Sequence, residues 1–139
     1  MSPITLEEGN ALLTRLLRGG PLRQFPKKQE DLLVVLALAA QALRGSSSLT
    51  EPEVNTVLRD WLQGFADPVG MDHVTMRRFL VDYHFLLRST NGDAYRVNTD
   101  LVGLTLNGDA RELSPTDILE DLTAERLARR RAHEKQSTK

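Results

Sequence analysis

The chain has 139 residues, a formal net charge of −1 and no cysteine, which suits a single core and leaves too little length for two comfortable domains. The absence of cysteine removes disulfides, thiol catalysis and cysteine-based zinc sites, and the near-neutral balance withholds the general electrostatic argument for a nucleic-acid partner. No apolar run approaches the roughly 18 residues of a membrane span, so a soluble, cytoplasmic protein without a membrane partner is the expectation.

The first predicted helix runs from about Leu6 to Arg18. Thr5 and Glu8 have capping-box spacing, Leu13, Leu16 and Leu17 form a short apolar stripe, and Gly19-Gly20-Pro21 stops it. The linker LRQFPKK follows, with Phe25 expected to pin it to the core. Residues 18–28 carry Arg18, Arg23, Lys27 and Lys28 and no acid. A second helix, about Lys28 to Leu43, contains the longest apolar run, LLVVLALAA at 32–40. Apolar residues almost encircle it, so it reads as the central core helix. Its mid-chain position argues against a signal peptide. The third helix has the clearest start signal: Thr50 as N-cap, Glu53 closing a capping box, Leu49 and Val54 spaced as a hydrophobic staple. Val54, Leu58, Trp61 and Leu62 give its buried face.

Gly64 to Gly70, with Pro68, reads as a turn, and a fourth helix follows from Asp72 to near His84. Met76, Leu80 and Tyr83 recur at helical spacing, which directs Thr75, Arg77 and Arg78 towards the other side. Leu86–Ser89 and Ala94–Val97 flank Thr90-Asn91-Gly92-Asp93, a hairpin whose Asn-Gly tolerates positive φ. Six of the seven aromatic residues fall between Trp61 and Tyr95, so much of the heavy core material is expected there. Residues 98–113 are punctuated by Gly and Asn, and a second short hairpin is predicted at Leu101–Leu106. The last helix starts at Ser114-Pro115, acidic early and basic late: residues 126–139 hold six bases against Glu134. The tail EKQSTK is expected to fray.

This order of elements predicts a mainly α (α+β) fold, a winged helix-turn-helix with a small β-hairpin wing and an extra helix at each end. The single domain divides into an N-terminal helix extension (1–20), a winged-helix core (25–97) and a C-terminal extension with the terminal helix (98–139).

Thr50, Glu51, Glu53, Val54 and Asn55, then Arg77, Arg78, Leu80, Val81, Asp82 and Tyr83, then Asn91, Gly92 and Tyr95, stand in an order and spacing that resembles an uncharacterised bacterial family. That family is catalogued as a domain of unknown function, found alone or behind helix-turn-helix regulators. The Phe25–Lys28 segment, FPKK, also fits. The resemblance covers about residues 25–97 and implies a winged-helix-like fold in a regulatory context, with no known ligand. Two features depart from it: His84 stands where the family commonly has glycine, and the Gln63–Met71 turn is longer.

DNA contact is the first functional expectation, because the second helix of a helix-turn-helix enters the major groove and arginine binds guanine or phosphate. It places helix 72–84 in the groove and wing 86–97 on the backbone of double-stranded DNA. His73, Thr75, Arg77, Arg78, Arg88, Arg96, Lys27 and Lys28 would make the contacts. A homodimer through the terminal helices would set half-site spacing. The competing account of Arg77 and Arg78 is a solvated face, or pairing with Asp82 or Asp60. For Arg88, Arg96, Lys27 and Lys28 the competing account is solvating charge, and for the late bases it is complementing the helix dipole. The Thr50–Glu53 box and Asn55 are explained by capping and packing. His73, His84 and His133 lack metal-ligand spacing, and no acid/base pair, serine triad or phosphate loop is visible, so neither an enzyme nor a cofactor is expected. The alternative is a winged-helix protein-interaction module without DNA binding. The discriminator is whether Arg77, Arg78, Arg88 and Arg96 converge on one open surface.

Overall fold

The structure, a computed structural model, describes residues 2–137. In chain order it contains α1 (Leu6–Leu17), α2 (Gln29–Ala42), α3 (Glu51–Gln63), α4 (His73–Asp82), β1 (Leu86–Arg88), β2 (Tyr95–Val97), α5 (Thr99–Thr105), a 3-10 turn (Asp109–Glu112) and α6 (Pro115–Ser137). The longest apolar run is the hub: α2 buries Leu32 and every residue from Val34 to Ala40. An all-round apolar helix is stable only inside, and α3, α4 and α5 all pack on it.

Helix starts are set by side chains that satisfy free amides. Thr5 Oγ1 accepts from Glu8 N–H at 3.1 Å while Glu8 accepts from Thr5 N–H at 3.1 Å. Thr50 and Glu53 repeat that box at α3, with Leu49 and Val54 both buried beside it. At α4, Asp72 accepts from Thr75 N–H at 3.0 Å. The α4 exit is a Schellman motif. His84 N–H donates to Val81 O at 3.1 Å and Phe85 N–H to Leu80 O at 2.8 Å. His84 itself sits at φ 69, the single non-glycine residue with positive φ among those described. The residue that stands where the resemblance has glycine thus adopts the backbone that glycine favours.

β1 and β2 pair antiparallel, Leu86 opposite Val97, Leu87 opposite Arg96 and Arg88 opposite Tyr95. Gly92 takes φ 78 in the connecting turn. Leu49, between α2 and α3, adds itself to the other edge of β2: its N–H donates to Tyr95 O at 2.8 Å and its carbonyl oxygen accepts from Tyr95 N–H at 2.7 Å.

The predicted second hairpin at Leu101–Leu106 is instead α5. Asn98 caps it by accepting from Leu101 N–H at 3.3 Å, so Asn98 marks a helix start, and Gly103 is an interior helical residue and not a turn. Isolated bridges join the two extensions to each other and the linker to the core. Ile4 pairs with Leu106, and Leu22 pairs with Ala66 in the long Gln63–Met71 turn. α1 and α6 run side by side in the same direction, with Gly9 against Leu113 near their starts and Arg126 donating to the carbonyl of Arg18 near the end of α1. Helix α6 continues through the first four residues of the tail expected to fray; Thr138 and Lys139 lie outside the described residues.

Candidate functional site

The α4 helix, the hairpin and the α3 face beside them carry most of the residues singled out from sequence. Arg77 is not on the open side. Its side chain is 17% exposed, donates to Asn55 Oδ1 and pairs with Glu51 Oε1 at 3.3 Å. Glu51 and Asn55 are four residues apart on α3, so they share one face and bracket the guanidinium. The partners are neither Asp60 nor Asp82. Thr75 also turns inward, its hydroxyl donating to Asp72 Oδ1 at 2.7 Å. That bond holds the Asp72 carboxyl below its usual value, against the opposing effect of burial. His73 is half-buried, with Nε2 at 3.4 Å from an Arg59 guanidinium nitrogen.

The exposed stripe of α4 is therefore Val74, Arg78 and Asp82: one apolar, one basic and one acidic side chain. Glu51 and Glu53 stand at the start of the adjoining α3. Glu53 is held below its usual value by the Thr50 backbone amide that it caps. On the hairpin, the register puts Arg88 on the Tyr95 side and Arg96 on the Leu87 side, opposite faces of a two-stranded ribbon. Arg88 also lies over Gly92 in the turn. Lys27 and Lys28 are exposed. Their segment is anchored by Phe25, whose ring meets Phe79 of α4 edge-on at 4.9 Å. The four arginines thus do not converge on one surface.

A cleft of about 440 Å³ opens between the end of α3 and the start of α4, with Leu62, Ala66, Pro68 and Met71 as its apolar wall and Arg59 and His73 on its rim. Val69, next to it, is 89% exposed, held out by an Asx turn in which its N–H donates to Asp67 at 2.9 Å. Sequence reading assigned this segment only as a turn; the signal was an apolar residue after Asp-Pro in an overlong connection.

A second polar tie escaped sequence reading altogether. Asp31, the one buried charged residue among those described, receives both guanidinium nitrogens of Arg15 at 2.8 and 3.1 Å. It joins α1 to the first turn of α2. On α6, Ile118 and Leu122 pack against the core and Leu119 is buried in it, while Leu127 is 45% exposed. Among the described residues no cluster of three His, Asp or Glu is placed to hold a metal, and no helix is long and apolar enough to cross a membrane.

No curated protein and no solved structure matches the chain. A family model does, over residues 21–97, the span that holds the Glu51–Asn55–Arg77 tie, the Schellman exit and the hairpin. The chain belongs to the family described as "Uncharacterized protein conserved in bacteria (DUF2087)".

Proposed function

We propose that the chain is a winged-helix module of bacterial regulation whose α3–α4–hairpin face holds a protein partner. Support for the winged helix is connectivity: an apolar helix, one residue of strand at Leu49, two helices, then a hairpin that pairs with that residue. The observation that carries the protein-docking reading is the scattering of the arginines. Arg77 is spent on Glu51 and Asn55, and Arg88 and Arg96 point to opposite sides of the hairpin. The open surface nearby is an apolar cleft with a polar rim and a projecting Val69, the composition of a docking site more than of a phosphate-gripping face.

The reading as a DNA-binding regulator, with helix 72–84 in the major groove and the 86–97 wing on the backbone, stands as the second proposal. It is favoured by the open Arg78 and by the Lys27-Lys28 segment that Phe25 fixes beside α4. A photo-reactive residue at position 69, with one at the also exposed Leu104 as control, separates the two inside bacteria that make the protein. The docking reading expects a discrete protein adduct from position 69 and none from 104. The same diffuse background from both positions would count against it.

A further inference from the structure

The face of α6 that packs on the body changes character where α1 ends. At about 100° per residue, Ile118, Leu119, Leu122, Arg126 and Arg129 fall on one stripe, with Arg130 at its edge. The first three are buried or half-buried, and Arg126 donates to the carbonyl of Arg18, the C-cap of α1. Beyond that point every residue of α6 from 127 to 136 is exposed.

The same end of the molecule carries the chain's other basic segment. Arg15, one turn before Arg18, holds Asp31, and Asp31 lies one turn into α2 from Lys28. The charge of Asp31 is thereby matched by Arg15, which leaves Arg18, Lys27 and Lys28 exposed. On α6, Arg129 meets Glu125 only at 3.7 Å, and Arg130 and Arg131 are open. The Arg18–Arg126 and Arg15–Asp31 contacts thus link two basic runs distant in sequence into one pole, in which the exposed Glu30 and Glu125 are outnumbered by the bases. Helix-dipole compensation accounts for little of it, since that effect fades within the last turn and Arg126 to Arg131 lie further in.

We propose that this pole, formed by Arg18, Lys27, Lys28, Arg129, Arg130 and Arg131, binds the phosphate backbone of duplex DNA without regard to base sequence. Guanidinium forks match phosphate, and a helix exposed all round can lie along a groove edge. An anionic lipid surface fits less well, because this exposed stretch offers Leu127 as its one large apolar side chain and no apolar face to enter a bilayer. The proposal does not rest on the α3–α4–hairpin reading.

The test is fluorescence anisotropy of a fluorescein-labelled, mixed-sequence DNA duplex titrated with the full chain, at about 50 mM and about 200 mM NaCl. If about four phosphates are engaged, affinity falls about 100-fold between the two salts. Arg130→Glu with Arg131→Glu weakens binding at least about tenfold at low salt and flattens the salt slope by about 2. The corresponding double lysine variant keeps most of the affinity, and Arg44→Glu, at an exposed arginine outside both the pole and the α3–α4–hairpin face, binds as the wild type does. Lys27→Glu with Lys28→Glu supplies the same readout from the other segment, should the α6 variant lose its circular dichroism. No binding at low salt would overturn the proposal. So would loss through Arg78→Glu with the pole variants unaffected, or binding to phosphatidylserine vesicles in place of the duplex.

Discussion

His84 shows how one residue can hold a helix exit against its own preference. The Schellman geometry requires a left-handed residue after Tyr83, and an L side chain there costs about 1–2 kcal/mol, somewhat less for histidine, which tolerates the region better than most. His84→Gly is expected to raise stability by about 1 kcal/mol, read as a higher guanidinium midpoint with an unchanged slope; a lower midpoint would show that the imidazole contributes more than the strain costs. The caps give a pH dependence of definite sign. Glu53 is held below 4.5 chiefly by the Thr50 amide, and Asp72 below 3.8 chiefly by the Thr75 hydroxyl. A carboxylate with a depressed folded-state pKa contributes stability that is complete above its unfolded value and is lost as pH falls through the folded one. Melting temperature should therefore decline below about pH 4.5, and Glu53→Gln with Thr75→Ala, which remove one titrating carboxyl and the hydroxyl that lowers the other, should make that decline shallower. An acid limb identical to wild type would contradict this origin.

Among the elements, those that declare themselves by local chemistry were legible in the sequence. Capping boxes announced α1 and α3, Asp72 announced α4, the encircling apolar pattern announced α2, and Asn-Gly announced the hairpin. α5 was not legible because Asn98 and Gly103 suit a turn as readily as a cap and a helical glycine, and its packing on α2 decides between them. The contacts between elements were less legible still. Nothing local in Arg15 and Asp31, or in Glu51, Asn55 and Arg77, says that they meet, because each pair spans two helices whose relative placement is set by the core. The Gln63–Met71 connection looked like a plain turn, yet it is where the linker adds its strand-like bridge at Leu22. A Cβ at Gly70 would collide with the backbone carbonyl of Arg23, and neither side is a flexible side chain that can swing away. Gly70→Ala should cost about 2–3 kcal/mol by forcing that junction apart, measured by chemical denaturation. A loss under about 0.5 kcal/mol, the level of an ordinary surface change, would mean the linker is not docked as described.

At the scale of the whole molecule, the chain sorts its charges in a way the near-zero sum conceals. Arg77 is matched by Glu51 between α4 and α3, while Arg18, Lys27, Lys28, Arg130 and Arg131 are exposed near the end of α1, before α2 and along the later half of α6, whose earlier half carries Asp117, Glu120, Asp121 and Glu125. The surroundings of the candidate residues follow from which neighbours the fold supplies. Arg77 and Arg78 are adjacent in sequence and differ completely: one ties α4 to α3, the other faces water. The tie of Glu51, Asn55 and Arg77 lies within the span that the family model matches.

Arg77 links α4 to α3 through Glu51 and Asn55. Guanidinium denaturation of Arg77→Ala beside Arg78→Ala tests that link most directly. Removing a charge-assisted bond and stranding its partners should cost Arg77→Ala about 2 kcal/mol, while exposed Arg78→Ala should stay within about 0.5 kcal/mol of wild type. Equal, small losses for both variants would contradict the account and return Arg77 to the open face.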